Sequence, residues 1–125
     1  MKKVLLFLMF VFVLFGCSKD SISESVSISQ SVLLTSTNSV KNGETVSLTA
    51  AIKGERNGNP IVFSVTYFCD QNEIGRSDDS SSKYRYDYTV QNLSVGTHTL
   101  SYKAEYKDGD TYSYSMASLP ITVTE

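Results

Sequence analysis

After residue 25, apolar and polar residues alternate along most of the chain, which is the pattern of half-buried β-strands. The alternation is clearest in the segments TVSLTAAI, IVFSVTYF, KYRYDYTV and HTLSYKAEY, which turn-forming residues separate. One side of each strand is predicted to point inward. These inward residues are Val46, Leu48, Ala50 and Ile52; Ile61, Phe63, Val65 and Tyr67; Tyr84, Tyr86, Tyr88 and Val90; and His98, Leu100, Tyr102, Ala104 and Tyr106. No helical periodicity follows Cys17, so the chain is predicted to be all-β.

Three further strands complete the predicted fold. The segment SVSISQSV forms the first strand, with Val26, Ile28 and Val32 pointing inward. A short strand is predicted near Glu73–Ser77, and a long last strand from Thr111 to Thr124. About seven antiparallel strands at this spacing indicate a single β-sandwich.

The register of the final hairpin decides which side of the last strand is exposed. Asp108-Gly109 suits a two-residue turn, because such turns need positive φ angles. A turn centred there places Glu105 opposite Tyr112. Since the charged side of the preceding strand faces outward, Tyr112, Tyr114 and Met116 are predicted to face outward too. A three-residue turn would slip the register and bury the tyrosines.

The residues before the first strand have the layout of an export signal. A Met-Lys-Lys start precedes an apolar run over Val4–Phe15, which is too short to span a bilayer core of about 30 Å. The run ends in Leu14-Phe15-Gly16-Cys17, which resembles the lipobox of bacterial lipoproteins. The resemblance implies that residues 1–16 are a signal peptide that is removed, and that Cys17 carries the lipid that anchors the protein in a membrane. Residues 17–25 are predicted to form a serine-rich tether.

The residues after Cys17 indicate in which membrane the lipoprotein is expected. Ser18 is not the aspartate that retains many lipoproteins at the inner membrane, so an outer-membrane lipoprotein is expected, facing either the periplasm or the cell surface. The Ser-Lys-Asp start resembles lipoproteins of the Bacteroidota. Asp20-Ser21-Ile22 also resembles the O-glycosylation site of that phylum, which leaves glycosylation of Ser21 open.

Three segments together resemble a bacterial immunoglobulin-like (Big-type) domain. They are VKNGETVSLTA, PIVFSVTYFCDQNEIGRS and LSVGTHTLSYKAEY, and the resemblance spans residues 26–124. The chain departs from the family where Asp70 is followed by Gln71 instead of glycine. The resemblance implies an immunoglobulin-like β-sandwich over residues 26–125 without catalytic residues. Its expected function is a binding or adhesion module for glycan or protein, or alternatively a spacer or structural subunit of a larger surface complex.

Composition and the reactive residues exclude several classes of function. The net charge is −2 and no basic cluster is present, which argues against nucleic acid as a partner. With Cys17 acylated, Cys69 has no disulfide partner and is predicted to be buried and free. His98 is the only histidine, and a structural role is predicted for it. Asp78-Asp79 is more consistent with a solvated loop than with a calcium site, so no cofactor, metal or catalytic group is predicted.

A candidate binding face follows from the outward residues. In an immunoglobulin-like sandwich the third, sixth and seventh strands share a sheet, so Val62 and Phe68 are expected on the same face as the last strand. Phe68, Tyr112, Tyr114 and Met116 would then form an exposed patch, and such patches mark contact sites. The alternative is that the tyrosines only shield the edge of a sheet.

Overall fold

The computed structural model describes residues 26–125, which form two β-sheets packed face to face. The predicted signal peptide, lipidated Cys17, Ser21 and the tether over residues 17–25 lie outside the described residues. The strands are β1 (Val26–Thr35), β2 (Ser39–Lys41), β3 (Thr45–Arg56), β4 (Asn59–Pro60), β5 (Ser64–Cys69), β6 (Asn72–Ser77), β7 (Tyr86–Thr89), β8 (Gly96–Asp108) and β9 (Thr111–Thr124). Between residues 26 and 125 there is no helix long and apolar enough to cross a membrane.

The two sheets have the arrangement of an immunoglobulin-like sandwich. In one sheet β3 lies between β1 and β7 and also pairs with the short β4. The other sheet has the order β2-β9-β8-β5-β6. Every pair is antiparallel except β2 with β9, which is parallel. The predicted fold class is confirmed, and β5, β8 and β9 share a sheet as expected.

The core lies between the sheets and contains several tyrosines with satisfied hydroxyls. Its largest fully buried side chains are Tyr67, Tyr102, Phe63, Leu48, Leu100, Ile121, Val46, Val65, Val90 and Val123. The Tyr67 hydroxyl donates to the Tyr84 carbonyl at 2.6 Å, and the Tyr84 hydroxyl accepts the Phe63 N–H at 3.0 Å. The Tyr102 hydroxyl lies 2.7 Å from Ser31 Oγ. These bonds matter because a buried hydroxyl without a partner costs about 1–3 kcal/mol.

The prediction that Val32 points inward is wrong. A β-bulge between Ile28 and Gln30 inserts an extra residue into β1, which reverses the side of every later side chain. Val26 and Ile28 are therefore partly buried, whereas Val32 is 44% exposed and Leu33 takes its place in the core.

The final hairpin turns one residue later than predicted. Gly109 and Asp110 form the turn, with Asp108 opposite Thr111, so the predicted pair Glu105–Tyr112 is wrong and Glu105 pairs with Tyr114. Gly109 has a φ of 66° at the first turn position, where a type II′ turn requires a positive value. The partner of each residue shifts by two positions, and because side chains alternate with a period of two, every side chain keeps its predicted face.

Candidate functional site

Three large side chains stand in a row on the outer face of β9. Tyr112 is 75% exposed, and Tyr114 and Met116 are each 56% exposed. They occupy alternate positions of one regular strand, so they project from the same face of the sheet. We call Tyr112, Tyr114 and Met116 the β9 row. Their exposure agrees with the sequence analysis, while their role in binding stays a prediction.

Phe68 does not join the β9 row. It pairs with Ser101 of β8, which in turn pairs with Ser118 of β9, so the strand β8 lies between Phe68 and β9, and the β9 residue at the level of Phe68 is a small serine. Phe68 is also only partly exposed. The structure therefore places Phe68 on the predicted face and leaves it outside the contiguous row.

Charged side chains of β8 lie beside the β9 row. Lys103 pairs with Met116 and Glu105 pairs with Tyr114 across the hairpin. The Lys103 ammonium lies 4.5 Å from the centre of the Tyr114 ring, a cation–π distance, and 3.9 Å from the Glu105 carboxylate. These contacts hold the ring of Tyr114 over β8 and leave Tyr112 more open to solvent.

The backbone of β9 is also open along the β9 row. The Thr122 N–H donates to the Asn38 carbonyl at 2.9 Å, away from β8. In an antiparallel ladder the direction of the backbone groups alternates, and the β8–β9 register is continuous. The N–H and C=O groups of Tyr112, Tyr114, Met116 and Ser118 therefore also point away from β8. Within residues 26–125, β2 pairs with this side of β9 only at Thr122–Thr124.

Asp70 and His98 form a second cluster, at the turn between β5 and β6. Asp70 and Gln71 have φ values of 51° and 73°, as a type I′ turn requires. The Asp70 carboxylate accepts the Thr99 N–H at 2.9 Å and lies 2.5 Å from His98 Nδ1. His98 Nε2 lies 2.7 Å from the Ser94 carbonyl.

Both partners of the His98 ring are acceptors, so only the doubly protonated imidazolium donates to both. The hydrogen bond to Asp70, followed by the bond to the Ser94 carbonyl, raises the pKa of His98 above its usual value. The bond to His98 in turn lowers the pKa of Asp70. The predicted structural role of His98 thus takes a concrete form, since its side chain ties the β5–β6 turn to the loop before β8.

Asp70, His98 and Ser94 also follow the order of a hydrolytic triad, with the Ser94 hydroxyl 3.4 Å from His98 Nε2. The Ser94 carbonyl is nearer to that nitrogen and can only accept. His98 Nε2 therefore carries its own proton and is not free to take one from the Ser94 hydroxyl. The arrangement fastens a loop and does not activate the serine.

Cys69 lies beside this cluster and is buried and free, as predicted. Burial raises the pKa of its thiol, and the charge of Asp70 raises it further. Cys69, Asp70 and His98 offer ligand atoms within 4.8 Å of one another. A metal would need the thiolate and a free imidazole nitrogen, whereas burial and the charge of Asp70 favour the protonated thiol and both ring nitrogens face acceptors.

Asp79, which the sequence analysis weighed as a calcium ligand, is instead the N-cap residue of a short helix. Its carboxylate accepts the Ser81 N–H at 3.0 Å and the Ser81 hydroxyl at 2.6 Å, which caps the short 3-10 helix Ser80–Ser82. The Ser81 hydrogen bonds lower the pKa of Asp79.

Comparisons with known proteins do not assign this chain to a family. No family model and no curated protein matches the chain. Among solved structures, the chain is similar to fibronectin(III)-like modules of Clostridium thermocellum CbhA, at 21% identity over 76% of this chain and 96% of that chain, with a TM-score of 0.49. The assignment of the fold rests on the strand pairing of this chain itself.

Proposed function

We propose that this chain is a non-catalytic binding module of the Big-type, held in the outer membrane of a Bacteroidota-like cell envelope by a lipid on Cys17. Its β9 row is the contact surface for a glycan or a protein. The observation that carries the proposal is the row itself, because Tyr112, Tyr114 and Met116 are each more than half exposed. Contiguous exposed apolar groups on a soluble domain usually mark contact sites.

The chemistry of the described residues supports a non-catalytic role. Nucleophilic catalysis needs a nucleophile within reach of a free base. Among residues 26–125, the one histidine has both ring nitrogens against acceptors, and the one thiol is buried with a raised pKa. His98 thus holds a turn to a loop, and Cys69 is packed in the core.

Anchoring is tested by Cys17→Ala, with Cys69→Ala as the matched cysteine control. The lipid on Cys17 supplies the membrane affinity, at about 0.8 kcal/mol for each buried methylene. We expect Cys17→Ala to lose incorporation of labelled palmitate and to leave the membrane fraction, while Cys69→Ala keeps both. Palmitate labelling and membrane retention of Cys17→Ala would contradict the proposed anchor.

The contact surface is tested by the double variant Tyr112→Ser/Tyr114→Ser. The control is Val62→Ser/Val95→Ser, which removes two other exposed apolar side chains. Binding is measured by retention on a panel of immobilised polysaccharides and by chemical crosslinking to neighbouring proteins in intact membranes. We expect only the tyrosine variant to lose its contacts, with a melting temperature within a few degrees of wild type, since exposed substitutions usually change stability by about 0.5 kcal/mol or less.

Two results would count against this surface. Unchanged retention and crosslinking of the tyrosine variant would favour the spacer function, which needs no contact residue on β9. A large fall in melting temperature would show that the tyrosines stabilise the fold.

A further inference from the structure

The sandwich has two lateral edges, one formed by β6 and β7 and the other by β1 and β9, and they differ in how they are protected from pairing with another strand. On one side, the edge strand β6 carries Glu73 and Arg76, and the edge strand β7 carries Asp87, which pairs with Arg85 at 2.9 Å. Charged side chains on an edge prevent pairing with another strand. On the opposite side, β1 and β9 contain no charged residue.

The uncharged edge formed by β1 and β9 also carries most of the exposed apolar side chains, on the outer faces of both sheets. Val32 and Leu34 of β1 are exposed there with the β9 row, and elsewhere in the described chain only Val62 and Val95 are large exposed apolar residues. A bulge interrupts the edge of β1 and so protects it. β9 has no bulge, and its only proline is Pro120. Its open stretch therefore has no charge, bulge or proline to hinder strand addition.

We propose that β9 pairs with β9 of a second copy of this chain, antiparallel, around a two-fold axis at Ser115. This pairing would join the two five-stranded sheets into one. The inference rests on the proposed role of the β9 row as a contact surface, and it names a second copy as the protein partner.

The position of the axis follows from the open backbone groups. These belong to Tyr112, Tyr114, Met116 and Ser118, and Ser115 is the midpoint of this stretch. The axis places Tyr112 opposite Ser118 of the partner subunit and Tyr114 opposite Met116 of the partner subunit. The symmetry repeats both pairs, so four pairs with two hydrogen bonds each give about eight backbone hydrogen bonds.

The ends of β9 fit this register. Pro120 has no N–H, and it falls opposite the partner's Asp110, one step beyond the last hydrogen-bonded pair. The missing donor therefore costs no hydrogen bond. On the outer face the ring of Tyr114 meets the thioether of the partner's Met116, and sulfur–aromatic contacts of this kind are favourable.

The charge pattern favours a second copy over another occupant. Two-fold pairing around Ser115 brings the residues nearest the axis close to their own copies, so a charge at position 114, 115 or 116 would meet a like charge. The segment Thr111–Thr124 has none, whereas a strand that evolved for a charged partner would gain from complementary charge. A single strand pair buries little surface, so we expect weak, concentration-dependent association that attachment to a common membrane strengthens.

The test uses the full chain in detergent at several protein concentrations. NMR measures the hydrogen-exchange rate of each backbone amide, and sedimentation measures the oligomeric state at the same concentrations. Odd-numbered amides of β9 bond to β8 and should be protected at every concentration. The amides of Tyr112, Tyr114, Met116 and Ser118 should exchange fast when dilute and become protected as dimer forms. Fast exchange of these four amides at all concentrations, with monomeric sedimentation, would overturn the proposal.

Two charge variants test the register. Met116→Lys should weaken self-association about tenfold or more, because it brings two like charges to diagonal positions across the axis. Adding Tyr114→Glu should restore association, since the new carboxylate faces the ammonium at position 116 of the partner subunit. The control Thr89→Lys, on exposed β7, should dimerise like wild type. Normal dimerisation of Met116→Lys would refute pairing at this edge.

The outcomes separate this inference from the proposed function. If the chain stays monomeric while Tyr112→Ser/Tyr114→Ser still loses a polysaccharide or another protein, pairing between copies is refuted and the binding function stands. If the chain dimerises and the same double variant keeps every other contact, the second copy is the only partner of the row.

Discussion

At the scale of single residues, alternation along the strand was a reliable guide to burial except after the bulge in β1. Cys69 continues the inward row of Phe63, Val65 and Tyr67, and the structure confirms that it is buried. The partners of His98 were not predictable in the same way. Asp70 is distant in sequence and reaches His98 only because its turn adopts left-handed φ angles without a glycine.

The role of Gly75 was likewise not predictable from the sequence. The sequence analysis assigned no reason for this glycine. In the structure the Tyr86 ring packs directly over Gly75, where a Cβ atom would come within 2.7 Å of three ring carbons. Such a contact between β6 and β7 becomes visible only when the two sheets are stacked.

The His98 cluster gives stability a defined pH dependence. The raised pKa of His98 means that its contribution is fully present below pH 6.5, its usual pKa, and is lost as the pH rises through the folded-state pKa. The lowered pKa of Asp70 means that its contribution is present above pH 3.8 and is lost as the pH falls through its own folded-state pKa. The pair therefore stabilises the fold most between about pH 4 and 6.5.

The variant His98→Gln tests this dependence. We expect its melting temperature to fall below wild type by several degrees at pH 6, since about 1 kcal/mol shifts a domain of this size by about 4–8 °C. The difference should shrink at pH 9. Ser94→Ala is the control, because it keeps the carbonyl that accepts from His98 and should melt like wild type. Equal differences at pH 6 and pH 9 would contradict a charged His98.

At the scale of strands, the sequence predicted the elements better than their registers. The seven strands expected from the alternation are all present, together with the short β2 and β4. The bulge in β1 leaves no clear signal in SVSISQSVLLT, because Val32, Leu33 and Leu34 are consecutive and either register therefore buries some apolar side chains. The final turn was misplaced because Asp-Gly and Gly-Asp both suit a two-residue turn, and only the strand pairing decides between them.

At the scale of the whole molecule, the candidate site was only partly visible in the sequence. The exposure of the β9 row followed from alternation and from the charged partner strand. Phe68 was assigned to the same patch, but its separation from the row depends on the order and stagger of three strands. The open edge of β9 was missed, although its uncharged sequence from Thr111 to Thr124 carries the signal.

The central claim is that the β9 row is a surface in contact with a partner when the protein is in its membrane. The most direct test is brief chemical modification of tyrosines in membranes that hold the native protein and in dilute purified protein, with each site quantified by mass spectrometry. The buried Tyr67 and Tyr102 serve as internal controls that should react slowly in both samples. We predict that Tyr112 and Tyr114 react fast in the dilute protein and severalfold more slowly in membranes. Equal reactivity of Tyr112 and Tyr114 in the two samples would contradict the account.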